Sequence, residues 1–300
     1  MRSFTPEQEK ERKDFIRRCI ENDARRFEGE TYIDTVTEIT GTAYTDDGLP
    51  EHTFDMYEPA GGAAREDEAF ILIHGGAFVY GTNILDKRYG YYLADKSGLK
   101  VANVNYRILP DTDITGSISD IVRCITFLHD NYGIKKIYVT GDSAGGYLAL
   151  ATTLCYADPA FRETIGIKVC EDIEAGPAGL ICGVYRMEKN IFPGVYLAPS
   201  DEEGALPDHM YDLGEAVKAA DPASLQFVLV TGEDDYLRED SIYMKKICDE
   251  AGIKAKLFNY DSTPERAMQH VFPIAHAFWP ESQEVIGYIA RSAVKGRVGD

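Results

Sequence analysis

Apolar and polar positions change rhythm along the chain, and each rhythm marks a type of element. Between Thr5 and about Phe27 the apolar residues Phe15, Ile16, Cys19, Ile20 and Phe27 recur at helical spacing amid dense charge. Thr5-Pro6-Glu7 offers an N-cap, a proline at the first helical position and an acid in the first turn, so an amphipathic helix with a narrow apolar stripe is predicted. Segments 38–44 and 52–59 alternate around Asp46-Asp47-Gly48, which predicts a hairpin. The runs 69–74, 100–106, 135–141, 225–232 and 254–261 are short, β-branched or apolar, and do not alternate. Such runs are strands buried on both faces of a parallel sheet. Helices are predicted between and after them, over 85–97, 117–132, 144–157, 238–251 and 281–293. Strand, helix, strand repetition predicts a mostly parallel, doubly wound α/β sheet with an antiparallel hairpin at its leading edge.

One stretch, 183–222, breaks the alternation with several Gly and Pro, three Tyr and the acidic Asp201-Glu202-Glu203. It reads as an insertion. The organisation expected is a helical segment at 1–35, a core formed by 36–182 and 223–300, and the insertion 183–222 between the two halves of the core. The final residues, KGRVGD, read as a frayed end.

Composition narrows the function. Three hundred residues, 44% of them apolar, can bury one sizeable core, and no apolar run is long enough to cross a membrane. Thirty-one basic against fifty acidic side chains give 31 − 50 = −19, a field that repels nucleic-acid phosphates and anionic bilayers. The six cysteines are far apart with no C-x-x-C pair, and the N-terminus is too charged for a secretory h-region. A reducing cytoplasm with free thiols is expected.

Chemistry concentrates in two glycine-rich turns. Gly141-Asp142-Ser143-Ala144-Gly145 is a G-x-S-x-G between a predicted strand and a predicted helix. A sharp strand-to-helix bend crowds its own backbone, so small residues are needed two before and two after the serine, whose hydroxyl is then thrust outward as a nucleophile. The plainer alternative is a serine N-cap flanked by packing glycines. Upstream, His74-Gly75-Gly76-Ala77-Phe78 ends another strand, where paired glycines free the backbone to turn N–H groups inward as an oxyanion hole requires. Taken alone, this pair is also ordinary loop material. A further donor is expected from Ala144 N–H, at the positive end of the following helix.

HGGAF followed about seventy residues later by GDSAGG resembles the hormone-sensitive-lipase-like branch of the α/β-hydrolase carboxylesterases. Tyr106-Arg107-Ile108-Leu109-Pro110-Asp111 is similar to that branch's Y-R-L-A-P-E, and Asp120 and Phe127 fall where its next helix carries an acid and an aromatic. Asp235-Tyr236-Leu237-Arg238-Glu239 resembles D-P-L-R-D, and His270-Val271-Phe272 resembles H-G-F. The similarity runs over about 40–290 and is weakest in 160–222.

The resemblance implies an α/β-hydrolase fold in which the N-terminal helix and the 183–222 insertion form a helical cap. It also implies Asp235 as triad acid and His270 as base, completing the order Ser, Asp, His. Glu233 and Asp234 compete for the acid and His276 for the base. His52, His129 and His209 read as ordinary polar positions, and His74 as a residue that holds its loop by hydrogen bonds. The sequence departs from the pattern at Ala77, where a third glycine often stands, at Tyr236 in place of proline, and at Val271 in place of a small residue.

The expected function is a serine carboxylesterase hydrolysing short- to medium-chain acyl esters through an acyl-enzyme. Catalytic Ser143, Asp235 and His270 are joined by an oxyanion hole at Gly75, Gly76, Ala77 and Ala144, and Phe78 and Tyr147 are candidate pocket walls. No P-loop, H-E-x-x-H or dinucleotide fingerprint occurs, so neither cofactor nor metal is expected. A small-molecule ester and, at most, further copies of the chain are the expected partners, with no nucleic acid and no membrane span. An amidase or peptidase of the same fold, or a ligand-binding protein that keeps the pocket without turnover, are the alternatives.

Overall fold

The computed structural model describes residues 5–27, 31–187 and 210–299. The insertion therefore lies partly outside the described residues, as do His209 and the acidic Asp201-Glu202-Glu203. Helix α1 (Pro6–Phe27) comes first, opened by reciprocal hydrogen bonds between Thr5 and Gln8, and it buries no residue fully. Strands β1 (Val36–Ala43) and β2 (Thr53–Pro59) then form the antiparallel hairpin.

The core alternates as the pattern requires. Strand β3 (Glu68–Ile73) is followed by α2 (Lys87–Ser97), β4 (Lys100–Val104), α3 (Ile114–Tyr132), β5 (Lys136–Asp142) and α4 (Ala144–Ala157). A short α5 (Pro159–Thr164), a two-residue β6 (Glu174–Ala175), β7 (Ala178–Ile181) and α6 (Leu213–Ala219) come next. The chain closes with β8 (Gln226–Gly232), α7 (Arg238–Ala251), β9 (Lys254–Tyr260), α8 (Phe272–Ala275) and α9 (Pro280–Lys295). Helix α3 begins three residues earlier than its apolar spacing suggests, because the Asp113 carboxylate caps it by accepting the Gly116 N–H at 2.7 Å.

Strands run in the order β1-β2-β4-β3-β5-β7-β8-β9, with β6 pairing to β5. Pairing is antiparallel from β1 to β4 and parallel from there to β9. Strand β7 has no counterpart among the expected strands, although it joins β5 to β8 inside the sheet. Its sequence, AGLI, is only four residues long, and Gly179 is small because a Cβ there would stand 2.7 Å from Thr140 Oγ1 on β5. Apolar side chains cover both sheet faces, with Ile71, Val139, Leu148 and Leu229 in one cluster and Phe70, Leu72, Val228 and Ile286 in the other. Two-sided burial makes the sheet a rigid platform, and its parallel strands deliver their carboxyl ends to one edge.

Candidate active site

Ser143 stands at the carboxyl end of β5, between that strand and the buried helix α4. Its backbone is held at φ 54° and ψ −119°, a conformation an L-residue adopts only when its surroundings enforce it. The enforcement is visible on each side. A Cβ on Gly145 would lie 2.1 Å from the Ile73 carbonyl oxygen, and one on Gly141 would lie 2.5 Å from that of Gly145. Ser143 N–H donates to the Ile181 carbonyl at the end of β7, 2.9 Å away, so the bend is also tied to the next strand.

His270, in the loop between β9 and α8, has Nε2 2.9 Å from Ser143 Oγ and Nδ1 2.7 Å from Asp235 Oδ1. Asp235 follows β8 and is 5% exposed. Its Oδ2 accepts the Thr231 hydroxyl at 2.7 Å, and its Oδ1 also accepts the Leu237 N–H at 3.0 Å. Burial works to raise this carboxyl, but the His270 hydrogen bond and charge, with the Leu237 and Thr231 donors, hold it below the usual carboxylate range. An ionised Asp235 in turn holds the His270 Nδ1–H tautomer and leaves Nε2 able to accept the serine proton.

The rival residues lie elsewhere. Glu233 and Asp234 are exposed and bind the Ser262 N–H and hydroxyl, at 2.9 and 2.7 Å. His276 lies flat on Trp279, with ring centroids 4.0 Å apart, and burial together with Arg26 and Arg88 lowers its pKa. His74 is buried and stacked on Tyr106, its Nδ1 2.7 Å from the Gly75 carbonyl, and burial pushes it down to about 4. His52, expected as an ordinary polar position, is 2% exposed and links the hairpin to α3, with Nδ1 2.6 Å from Asp47 and Nε2 3.2 Å from Asp120.

The loop after β3 turns through three consecutive residues of positive φ: Gly76 at 120°, Ala77 at 53° and Phe78 at 63°. Gly76 cannot be replaced without moving backbone, since its Cβ would fall 1.8 Å from the Tyr80 carbonyl. The N–H groups of Gly76, Ala77 and Ala144 make no hydrogen bond among the described residues. Gly75, expected in the oxyanion set as the residue that enables the turn, differs from the other three: its N–H donates to Asp142 Oδ1 at 2.9 Å. Val271, at φ 55°, also sits in the left-handed region, where a β-branched residue is strained, directly beside His270.

A cavity of about 950 Å³ opens over these groups, lined by Ser143, His270, Gly76, Ala77, Tyr236 and, from α1, Phe15 among others. Arg25, Arg26, Asp23 and Cys19 of the same helix also line it. Phe78 and Tyr147, expected as pocket walls, do not line this cavity. Both are buried in the core, edge to face at 5.6 Å, with the Tyr147 hydroxyl donating to the Met210 carbonyl at 2.6 Å. A side chain beside a catalytic turn points to the opposite side of the sheet as readily as into the cavity, and sequence spacing cannot decide between them.

Reasoning from sequence missed Asp86, Asp142, Thr231 and the wall residues of α1. Asp142 was in view as the variable position of the motif, whereas nothing in the sequence marks Asp86. Among the described residues two groups have metal-ligand spacing, His129 with Cys170 and Asp172, and Cys182 with Asp235 and His270. In the second group, Asp235 and His270 are already hydrogen-bonded to each other.

Comparison with known proteins fits this architecture. The profile of the α/β-hydrolase fold matches residues 70–175, which contain both glycine-rich turns. The chain has the α/β-hydrolase fold. The chain superposes on the crystal structure of esterase B from Lactobacillus rhamnosis, inhibited by a tributyrin phosphonate, with a TM-score of 0.85 and 25% identity, covering 98% of this chain and 96% of that one. It is 25% identical over 230 residues to a probable isoprenylcysteine alpha-carbonyl methylesterase of Oryza sativa subsp. japonica, 71% of this chain and 54% of that protein. It is 28% identical over 188 residues to an arylesterase of Saccharolobus solfataricus, 58% of this chain and 60% of that protein. The chain thus spans little more than half the length of these two relatives. No helix among the described residues is long and apolar enough to cross a membrane.

Proposed function

We propose that this α/β-hydrolase is a serine carboxylesterase acting on short- to medium-chain acyl esters. The observation that carries the reading is the continuous line of hydrogen bonds from Ser143 Oγ through His270 to Asp235, beside three backbone N–H groups that have no acceptor among the described residues. Ser143 Oγ attacks the ester carbonyl carbon while His270 Nε2 takes its proton, and Asp235 stabilises the imidazolium. The carbonyl electron pair moves to oxygen, where the N–H groups of Gly76, Ala77 and Ala144 receive it. As the tetrahedral centre collapses, the C–O bond to the alcohol breaks and His270 returns its proton to the leaving oxygen. Water, deprotonated by the same imidazole, then releases the acid from the acyl-enzyme.

Short acyl chains are favoured because esterase B, alike over nearly its whole length, is inhibited by a phosphonate built on tributyrin. Helix α1 supplies the cap at 1–35, a reading supported by its side chains on the cavity wall, while most of the 183–222 insertion lies outside the described residues. The six free cysteines support a reducing, cytoplasmic setting. The decisive experiment pairs p-nitrophenyl butyrate hydrolysis with fluorophosphonate labelling. Wild-type protein should show both activities and Ser143→Ala neither; equal turnover by the variant would overturn the assignment. Matched ester and amide substrates should show the ester turned over preferentially.

A further inference from the structure

Asp86 ends the turn Asn83–Asp86 before α2, and Asp142 is the last residue of β5. They are 1% and 5% exposed, and both lie at the cavity wall. Asp142 touches the oxyanion loop directly. Its Oδ1 accepts the Gly75 N–H, and a Cβ on Gly75 would stand 2.6 Å from its Oδ2. Asp86 is differently placed, because neither of its oxygens receives an N–H or a hydroxyl from any other group among the described residues. What it meets is the carboxyl of Asp142.

Two ionised carboxylates cannot abut in a buried site, whereas one proton between them converts repulsion into a charge-assisted hydrogen bond. We propose that Asp86 and Asp142 share one proton, with Asp86 as donor, and that the pair is a strut fixing the oxyanion loop through Gly75 N–H. Asp142 is then a positioning residue acting through Gly75, and Asp86 positions Asp142. The shared proton stands on the burial of both carboxyls at one cavity wall, the lack of any other donor to Asp86 among the described residues and the interaction of the two carboxyls, while the strut's catalytic role rests on the esterase reading.

The surroundings agree with one negative charge for the pair rather than two. From α1, Arg26 favours the charged form of both carboxyls and Asp23 opposes it at Asp86. Arg26 is not a dedicated counter-ion, since it donates to the Leu85 carbonyl at 2.8 Å and lies 3.4 Å from Asp23. His270 faces Asp142 from the β9 loop and favours its ionised form. Tyr89 and Tyr106, with Cys182 and Tyr236, are the other titratable groups within electrostatic reach, and burial favours the neutral form of each. Burial and mutual repulsion raise Asp86 far above the ordinary carboxylate range, and burial raises Asp142 less.

Asp86→Asn and Asp86→Ala test the strut, because an amide can still donate to Asp142 and a methyl cannot. Infrared difference spectra of the wild-type protein at neutral pH should show a protonated-carboxyl C=O stretch that Asp86→Asn lacks. Asp86→Asn should retain kcat within about threefold, while Asp86→Ala loses about ten- to one-hundredfold with KM little changed, as displacement of a reacting group predicts. The wild-type profile of kcat/KM should fall at alkaline pH, where the shared proton leaves, and Asp86→Asn should lack that fall. Absence of the infrared band overturns the shared proton, and equal kcat and KM in the two variants overturn the strut. Should Asp86→Ala fail to fold, the band and the alkaline limb of Asp86→Asn decide. Failure of the esterase reading looks different, since wild-type protein would then neither turn over esters nor take the fluorophosphonate.

Discussion

At the bend around Ser143, Gly141 and Gly145 press so closely on neighbouring carbonyls that neither could carry a methyl group, while helix α1, lining the same cavity, buries none of its residues fully. The reactive floor is fixed by backbone against backbone, and the roof by side chains reaching across. Arg26 holds the Leu85 carbonyl at 2.8 Å, and the Tyr80 hydroxyl donates to Asp23 at 2.8 Å. Local steric necessity thus sets the floor, and a few exchangeable contacts hold the helix over it.

The sharpest test of the floor is Ser143→Ala, expected to reduce ester turnover by a factor of about a thousand or more while leaving the circular-dichroism spectrum intact. His270→Ala should lose a comparable factor in kcat and His276→Ala far less, because His270 reaches Ser143 while His276 stacks on Trp279; similar losses in both would break the assignment of the base. Gly145→Ala should destabilise the fold by about 3 kcal/mol, read as a lower Tm, since overpacking against the Ile73 and His74 carbonyls cannot be relieved without shifting β3 against β5. An unchanged Tm would show that the bend is slack.

The next effect is a stability dependence on pH. A carboxyl that binds its proton more tightly folded than unfolded contributes stability that is complete below the ordinary carboxylate range and is lost as pH rises toward its raised value. Asp86 is such a group. Comparing wild-type protein with Asp86→Asn in urea melts from about pH 4 upward should therefore show the balance moving steadily in favour of the variant. The smallest expected change concerns the roof. Arg26→Ala should alter the preference among esters of different acyl length by about three- to tenfold in kcat/KM, with little effect on Tm.

This division explains how far the sequence could be read. Buried parallel strands are written as apolar runs, and the elbow as Gly-x-Ser-x-Gly, because in both cases the constraint is local and excludes most residue types. Strand β7 escaped because Ala-Gly-Leu-Ile is too short and too small to announce a strand; its place depends on the gap between β5 and β8. Asp86 escaped because its importance comes from meeting Asp142, fifty-six positions away in the chain. Phe78 and Tyr147, expected as pocket walls, point into the core. Each of these errors concerns direction in space, which residue type and spacing do not encode.

The rail of carbonyl oxygens at Ile73, His74 and Gly145 has a consequence for descent with change. Any lineage of this fold must keep the two glycines that pass beside it, whatever molecule it comes to use, whereas the charged helix overhead tolerates drift at nearly every position. Novel substrate ranges are therefore expected to arise first along residues 6–27, long before anything alters beneath them.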